Sequence, residues 1–233
     1  MPPEQSPVSY LISCEHASSF VPVQWRHLFL GHESELDSHR GYDRGSLQVA
    51  EVLAQRLKAP LLVGRVTRLL VDLNRSADHR QHFSEFTRRL PAAERHRLDL
   101  EYWHPHWGRY RMYLNTLPGR ILHLACHSFV PVLEGRERHA DIGLLYDPAR
   151  KHEREWCGGL AARIRSHLPD LRVRRNYPYR GSSNGMGQQH RQFLPESRLI
   201  SVELEINQAL CDRGDWSSLL QELAEFVEQE TLS

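Results

Sequence analysis

Two histidines follow apolar segments of the sequence, at points where buried strands would end. His16 comes after VSYLISC with Glu15 beside it, and His127 comes directly after RILHLAC. The carboxyl ends of parallel strands meet at one edge of an open sheet, so the two imidazoles can lie close together. Imidazole nitrogen is a common zinc ligand, and a hydrolytic zinc site uses about three protein ligands and leaves one position open for water. The sequence therefore predicts that His16 and His127 bind a metal ion.

The third metal ligand must be a carboxylate or a further histidine. We assign Asp43, in HRGYDRGSL, and keep Glu15, His39 and His106 as alternatives. Asp43 precedes a helix that is predicted to begin near Gly45, where an aspartate often caps the helix N-terminus instead. Its assignment as a ligand requires that the carboxylate faces the sheet edge.

Two carboxylates interrupt the apolar segment LISVELEI near the end of the chain. Glu203 and Glu205 are two residues apart, so on a strand they lie on the same face. A buried carboxylate is costly unless it is paired or functional. One that faces the metal can act as a general base, which takes a proton from water and passes it to the leaving nitrogen. An edge strand with one polar face would explain the same pattern.

Several polar residues are candidates for holding a substrate. Asn74 and Arg75 follow the apolar segment RLLVDL. A guanidinium on such a loop can bind a carboxylate through two hydrogen bonds, and Asn74 can fix the loop or donate an amide hydrogen bond. A surface ion pair is the alternative interpretation of Arg75. Arg180 and His190, in a segment rich in glycine and serine, can complete a polar cage around a small anionic substrate.

The elements that must position these residues are short apolar segments alternating with amphipathic ones. Strands are predicted at 8–14, 60–66, 68–73, 120–126, 141–147, 171–176 and 199–206, and helices at 45–57, 91–115, 150–167 and 214–230. The polar segments 75–90 and 177–190 are predicted to be loops above the sheet. This alternation predicts an α/β fold of three layers, α/β/α, with a mostly parallel twisted sheet covered on both faces.

Length, charge and cysteine content narrow the class of protein. The 233 residues are predicted to form one domain, 1–233. The net charge of +1 argues against a nucleic-acid binder, and we interpret the basic cluster at 172–175 as a solvated strand edge. No apolar segment approaches the roughly 20 residues of a membrane helix, and the N-terminus does not resemble a signal peptide. The four cysteines form no CxxC pair. We therefore expect a cytoplasmic protein with reduced thiols, no membrane partner and no indicated oligomeric state.

Eight motifs occur in a fixed order between about residues 9 and 211: CEHASSFVP, HRGYDRG, RLLVDLNR, EYWHPHWGRY, LHLACHSFVPV, DIGLLYD, NYPYRG and VELEINQAL. Together they resemble the N-formylglutamate amidohydrolase family. The resemblance implies the phosphorylase/hydrolase-like fold of zinc carboxypeptidases, a bound zinc ion, and hydrolysis of an N-formyl amide to formate and L-glutamate in histidine catabolism.

The resemblance also implies roles for individual residues. EHAS and CHSF place His16 and His127 at two metal positions, and DLNR resembles the asparagine-arginine pair that holds a substrate carboxylate. ELEIN resembles the strand that carries the catalytic glutamate, which selects Glu205 over Glu203. Ser19 stands where zinc carboxypeptidases have a glutamate ligand, so the resemblance does not assign the third ligand.

We therefore expect a zinc-dependent amidohydrolase that acts on a small anionic N-acyl amino acid, with N-formyl-L-glutamate as the leading substrate. Glu205 and Arg75 are the expected catalytic residues. Two alternatives are a carboxypeptidase-like hydrolase or deacylase of another acyl-amino acid or short peptide, and a non-catalytic binding protein with the same fold.

Overall fold

The computed structural model describes residues 8–230 of the chain. Its strands are β1 (Val8–Cys14), β2 (Leu61–Val63), β3 (Arg120–Phe129), β4 (Val132–Leu133), β5 (Arg136–Glu137), β6 (Ile142–Leu145), β7 (Val173–Arg175) and β8 (Leu199–Asn207). Six of them form one sheet in the order β2-β1-β3-β8-β6-β7, and β4 pairs with β5 in a separate hairpin. Strands β2, β1, β3 and β8 are parallel, whereas β6 pairs antiparallel with β8. The predicted mostly parallel sheet is thereby confirmed.

Helices cover both faces of this sheet. They are α1 (Glu33–Leu36), α2 (Ser46–Arg56), α3 (Ala92–Leu98), α4 (His104–Thr116), α5 (Lys151–His167), α6 (Met186–Arg191) and α7 (Trp216–Gln229). Short 3₁₀ helices at Val23–Phe29 and Gln208–Asp212 and a π-helical turn at Asp99–Trp103 complete the set. Helices α2, α5 and α7 share a core with one face of the sheet, and α4 packs in the core on the other face. The three-layer prediction is confirmed. No helix within residues 8–230 has both the length and the apolar character to span a membrane.

The two faces of the central strands differ in character. Even-numbered residues of β1, β3 and β8 are apolar along most of each strand and lie in the core with α2, α5 and α7. Odd-numbered residues point to the opposite face. On that face most residues near the carboxyl ends are polar. The order is Leu11 and Ser13 on β1, Ile121, His123, Ala125 and His127 on β3, and Leu199, Ser201, Glu203 and Glu205 on β8. The register therefore concentrates polar side chains at one edge of one face.

The segment 68–73, which the sequence predicts to be a strand, forms turns instead. Its backbone hydrogen bonds leave the sheet: Leu70 N–H donates to the Thr67 carbonyl, and Asp72 N–H donates to the His82 carbonyl at 2.9 Å. Its leucine side chains are still buried, because the segment lies over the sheet in the same core as α4. The apolar composition was therefore a sign of burial and not of strand pairing.

Gly64 allows β1 and the end of β2 to approach closely, and its replacement should cost stability. The Gly64 N–H donates to the Cys14 carbonyl at 2.8 Å, and a Cβ atom at this position would overlap the Glu15 carbonyl. We expect Gly64→Ala to lower the free energy of unfolding by about 1–3 kcal/mol, measured by urea denaturation. The control is Gly108→Ala in α4, where a Cβ meets no atom within 4 Å. That change should stabilise the protein by up to about 1 kcal/mol, and equal effects of both variants would contradict the steric argument.

Candidate active site

A cavity of about 590 Å³ opens at the polar edge of the sheet. His16 lies just past the end of β1, and the register places His127 of β3 directly beside Glu205 of β8. All three residues line the cavity. The strand ends predicted to converge in this parallel sheet therefore do so.

Three side chains at the inner end of the cavity form a cluster that could bind a metal ion. They are His16, Asp43 and His127, and their ligand atoms lie within 4.8 Å of one another. Asp43 Oδ2 is 3.0 Å from His127 Nδ1 and 3.5 Å from His16 Nδ1. All three are buried, with 3%, 5% and 3% of their surface exposed, respectively. Two imidazole nitrogens and one carboxylate are a ligand set that zinc accepts.

Carboxylates behind the two imidazoles orient them toward this cluster. His16 Nε2 lies 2.7 Å from Asp72 Oδ1, and His127 Nε2 lies 3.1 Å from Glu15 Oε2. When the outer nitrogen of the His16 ring donates its proton to Asp72, His16 Nδ1 is left with a free lone pair. His16 Nδ1 is buried and has no hydrogen-bond partner within residues 8–230. A buried nitrogen that lacks a hydrogen-bond partner and lies beside the Asp43 carboxylate is suited to binding a cation.

The alternative third ligands lie outside this cluster. Glu15 contacts the outer side of the His127 ring, and His106 lies in a different groove with Arg109. His39 lines the cavity but is exposed. Asp43 does not cap the helix after it, because Gly45 occupies the N-cap position of α2 and the Asp43 carboxylate faces His127.

Arg68 and Asp72 take part in this site although the sequence assigned neither a role. The Arg68 guanidinium donates to Asp43 Oδ1 at 3.4 Å and to Asp72 Oδ2 at 3.2 Å. Arg68 and Asp72 are four residues apart, and a turn brings them together. In the predicted strand at 68–73 they would be about 13 Å apart. The predicted strand therefore offered no reason to pair Arg68 with Asp72. The one available signal was the position of Asp72 two residues before Asn74.

Arg68 and the two imidazoles keep the carboxylates around the metal cluster ionised. Burial raises the pKa of Asp43 and Asp72, but His16 and Arg68 outweigh burial and hold both pKa values well below their usual range. Burial likewise opposes ionisation of Glu15, and His127 overcomes it and lowers the Glu15 pKa to about 2. The three carboxylates around the two imidazoles are therefore held in the ionised form, which can bind a metal ion or orient the imidazoles that bind it.

Glu205 behaves in the opposite way. Burial raises its pKa to about 8, with Asp43 and Glu203 acting in the same direction and His127 opposing them. One of its oxygens, Oε2, is buried without a hydrogen-bond partner in the described part of the chain. Environments that push carboxyl pKa values apart are typical of sites in which one group binds and another transfers protons.

The residues predicted to hold a substrate occupy different positions. Asn74, Arg75 and Arg180 line the cavity. Asn74 Oδ1 accepts a hydrogen bond from Met186 N–H at 2.8 Å, and its Nδ2 lies 3.3 Å from His127 Nε2, so Asn74 connects α6 to the metal cluster. Arg75 donates to the Asn184 carbonyl, and its buried Nε has no hydrogen-bond partner within residues 8–230.

His190 does not line this cavity. Its Nδ1 lies 2.8 Å from the Met186 carbonyl, one turn earlier in α6, and its ring packs near Trp107 and Tyr110. It contributes to a separate groove with Phe193 and Leu194. The sequence placed it in a loop, but α6 turns the side chain away from the cavity.

The family model for N-formylglutamate amidohydrolase matches residues 8–211. This match makes the chain a hydrolase that acts on amide bonds. The chain belongs to the N-formylglutamate amidohydrolase family, as its motifs indicate. No curated protein matches it significantly.

Two solved structures are similar along nearly their whole length. Gene product Atu2144 from Agrobacterium tumefaciens is 26% identical with a TM-score of 0.79, and the match covers 95% of this chain and 90% of that one. The N-formylglutamate amidohydrolase from Ralstonia eutropha JMP134 is 19% identical with a TM-score of 0.66, and the match covers 97% of this chain and 93% of that one. Both similarities support the α/β fold described above.

The carboxylate behind His16 should tune metal affinity. In Asp72→Asn, the His16 ring loses its anionic acceptor, so we expect 10–100-fold weaker binding of a divalent metal, measured with Zn²⁺ against a competing chelator. The matched control is Asp141→Asn, which removes a carboxylate paired with Arg172 away from the cavity. Equal affinities of the native protein and Asp72→Asn would contradict the orienting role.

The raised pKa of Glu205 predicts a pH-dependent stability. Its folded-state pKa of about 8 lies above the ordinary glutamate value of 4.5. The unfolded chain therefore ionises first, and stability falls as pH rises between these two values. In protein stripped of metal with a chelator, we expect a loss of a few kcal/mol from about pH 5 to pH 8. Urea denaturation should show a smaller loss in Glu205→Gln. Parallel pH profiles for the two proteins would contradict the assignment.

Proposed function

We propose that this chain is a zinc-dependent amidohydrolase of small N-acyl amino acids, with N-formyl-L-glutamate as its substrate and formate and L-glutamate as products. The main support is the buried cluster of His16, Asp43 and His127, in which His16 Nδ1 has no hydrogen-bond partner within residues 8–230. The chain's membership of this family is the second support. Such a reaction would be a step in histidine breakdown.

The protein supplies the metal ligands and their orientation. His16 and His127 would bind zinc through Nδ1, and Asp43 through its carboxylate. When bound, zinc supplies Lewis-acid activation of water and of the acyl carbonyl. Asp72 and Glu15 hold the two rings in place from behind, and Arg68 fixes the Asp43 and Asp72 carboxylates.

Glu205 is positioned to transfer the proton. It lies beside His127 in the strand register and faces the cavity. Hydrolysis adds the oxygen of water to the formyl carbon, breaks the carbon-nitrogen bond and returns a proton to the amine. A carboxyl group with a pKa of about 8 suits both halves of this transfer, since it can take and release a proton near neutral pH.

Arg75 would bind a carboxylate of the substrate. Its guanidinium lines the cavity, and its Nε is not used by any hydrogen bond within residues 8–230. Two parallel hydrogen bonds from guanidinium to carboxylate would fix the distance between the amide and the metal cluster. Arg180, an exposed residue on the same cavity, would add positive charge at the entrance.

A second candidate is a hydrolase or deacylase of other acyl-amino acids or short peptides. The cavity of about 590 Å³ favours it, because this volume exceeds what a compact N-formyl amino acid requires. A panel of N-formyl, N-acetyl and dipeptide substrates distinguishes the two. A non-catalytic protein would hydrolyse none of them.

Formate release tests the proposal and its proton-transfer residue. Metal-loaded protein should release formate from N-formyl-L-glutamate, and Glu205→Gln should retain metal but lose about 10²–10⁴-fold in kcat. The matched control is Glu203→Gln, on the same face of β8 and two residues earlier, which should keep most of the activity. A larger loss in Glu203→Gln would reassign the base, and no formate at any metal loading would remove the substrate.

A further inference from the structure

Arg138 is a buried cation without a carboxylate partner. Only 9% of its surface is exposed, and no carboxylate within residues 8–230 lies within ion-pair distance of it. The other buried arginine of the described chain, Arg191, contrasts with it. Arg191 pairs with Glu153 at 2.9 Å and also donates to two backbone carbonyls.

The surroundings of Arg138 hold its guanidinium in one orientation. Arg138 follows the β4-β5 hairpin. Its Cζ atom lies 5.8 Å from the centroid of the Phe129 ring and 5.0 Å from the centroid of the Tyr179 ring. Its Nη1 donates to the Tyr179 hydroxyl at 3.0 Å, the one side-chain hydrogen bond it makes within residues 8–230. Ring stacking of this kind fixes the plane of a guanidinium and leaves its outer N–H groups free.

Arg138 lines the cavity that contains the metal cluster. Three other arginines of this cavity already have carboxylate partners. Arg40 pairs with Glu35 and Glu85, and Arg68 pairs with Asp43 and Asp72. The Nε of Arg75 lies 3.9 Å from Asp72 Oδ2. A desolvated guanidinium is costly unless an anion offsets its charge. An anion can reach Arg138 through the cavity, and a planar carboxylate matches its free N–H groups.

We propose that Arg138 is a specificity-determining residue that binds a second substrate carboxylate, so that the preferred N-acyl amino acid is a dicarboxylate. The proposal rests on the proposed amidohydrolase function. Arg75 would bind one carboxylate and Arg138 the other, from separate segments that face the same cavity. The acyl amide would then lie between them, next to the metal cluster.

A pair of isosteric substrates tests this assignment. N-formyl-L-glutamine has the shape of N-formyl-L-glutamate but lacks the second negative charge. We expect the native enzyme to prefer the glutamate compound by about 10–100-fold in kcat/KM, the range for hydrogen bonds to a charged group. Arg138→Met should lower kcat/KM for the glutamate compound by this factor and leave the glutamine compound within about threefold. Arg138→Lys, which retains charge but not the planar fork, should fall between the two.

The matched control is Arg136→Met, an exposed arginine in β5 of the same hairpin, which should leave both substrates unchanged. Circular dichroism establishes that each variant is folded. Equal losses on both substrates in a folded Arg138→Met protein would overturn the proposal, because they would indicate a structural role. An unchanged preference in that variant would overturn it as well.

Binding without turnover separates this proposal from the proposed function. Glutarate and its monoamide, glutaramate, differ by one carboxylate, and titration calorimetry should give at least about tenfold tighter binding of glutarate to the native protein. Arg138→Met should abolish this difference. If neither formyl compound is hydrolysed but glutarate shows this pattern, the proposed function fails and the assignment of Arg138 stands. Equal binding of the two compounds to the native protein would overturn the assignment, even if Arg138→Met does not fold.

Discussion

The buried carboxylate of Asp43 is the interaction on which the rest of the site depends. Its Oδ2 faces both imidazoles of the cluster, its Oδ1 accepts from Arg68, and its backbone N–H donates to the His16 carbonyl at 2.9 Å. A carboxylate buried this deeply is stable only where charged or hydrogen-bonding groups contact it, as Arg68 and the two imidazoles do here. Asp43 thereby fixes the position of both histidines, and the second layer of carboxylates, Glu15 and Asp72, can act only because the rings already face Asp43.

The sheet prepares this position by a change of polarity along one face. His123 lies on the same face, closer to the start of β3, and is fully buried. Both of its ring nitrogens have hydroxyl partners: Nε2 lies 2.7 Å from Ser13 Oγ, and Nδ1 lies 2.8 Å from Ser201 Oγ and 2.9 Å from Tyr110 Oη. Burial lowers the His123 pKa to about 3, so this imidazole stays neutral. Four residues further along β3, His127 has carboxylates instead of hydroxyls around it, and its pKa is raised well above the usual value although burial opposes this. The pKa values of two histidines on one strand face are thus shifted in opposite directions because their partners differ.

The parts of this protein that follow local rules could be predicted from the sequence. The ends of β1, β3 and β8 were visible because apolar segments stop there, and the parallel topology then brought His16, His127 and Glu205 together. The positions of Arg68 and Asp72 could not be predicted, since VTRLLVDL has the composition of a strand and only its long-range hydrogen bonds show that it turns. The direction of His190 depends on where α6 begins, and one residue of shift in a helix rotates a side chain by about 100°. The isolation of Arg138 depends on a hairpin and a distant loop that no local pattern connects.

The cavity holds its carboxylates and guanidiniums in fixed positions, and this arrangement explains what it can bind. Carboxylates occupy its inner end, whereas the guanidiniums of Arg75 and Arg138 occupy its walls. In a flexible chain these groups would pair with one another and the site would be neutral. Here Arg68 pairs with the inner carboxylates, and Arg75 donates to the Asn184 carbonyl and lies 3.9 Å from Asp72. Two aromatic rings hold Arg138. The fold therefore maintains an arrangement that suits a cation at one end and anions along the walls. The free energy needed to hold these charges in place is supplied when the protein folds. A ligand with the matching charges therefore binds without rearranging the site.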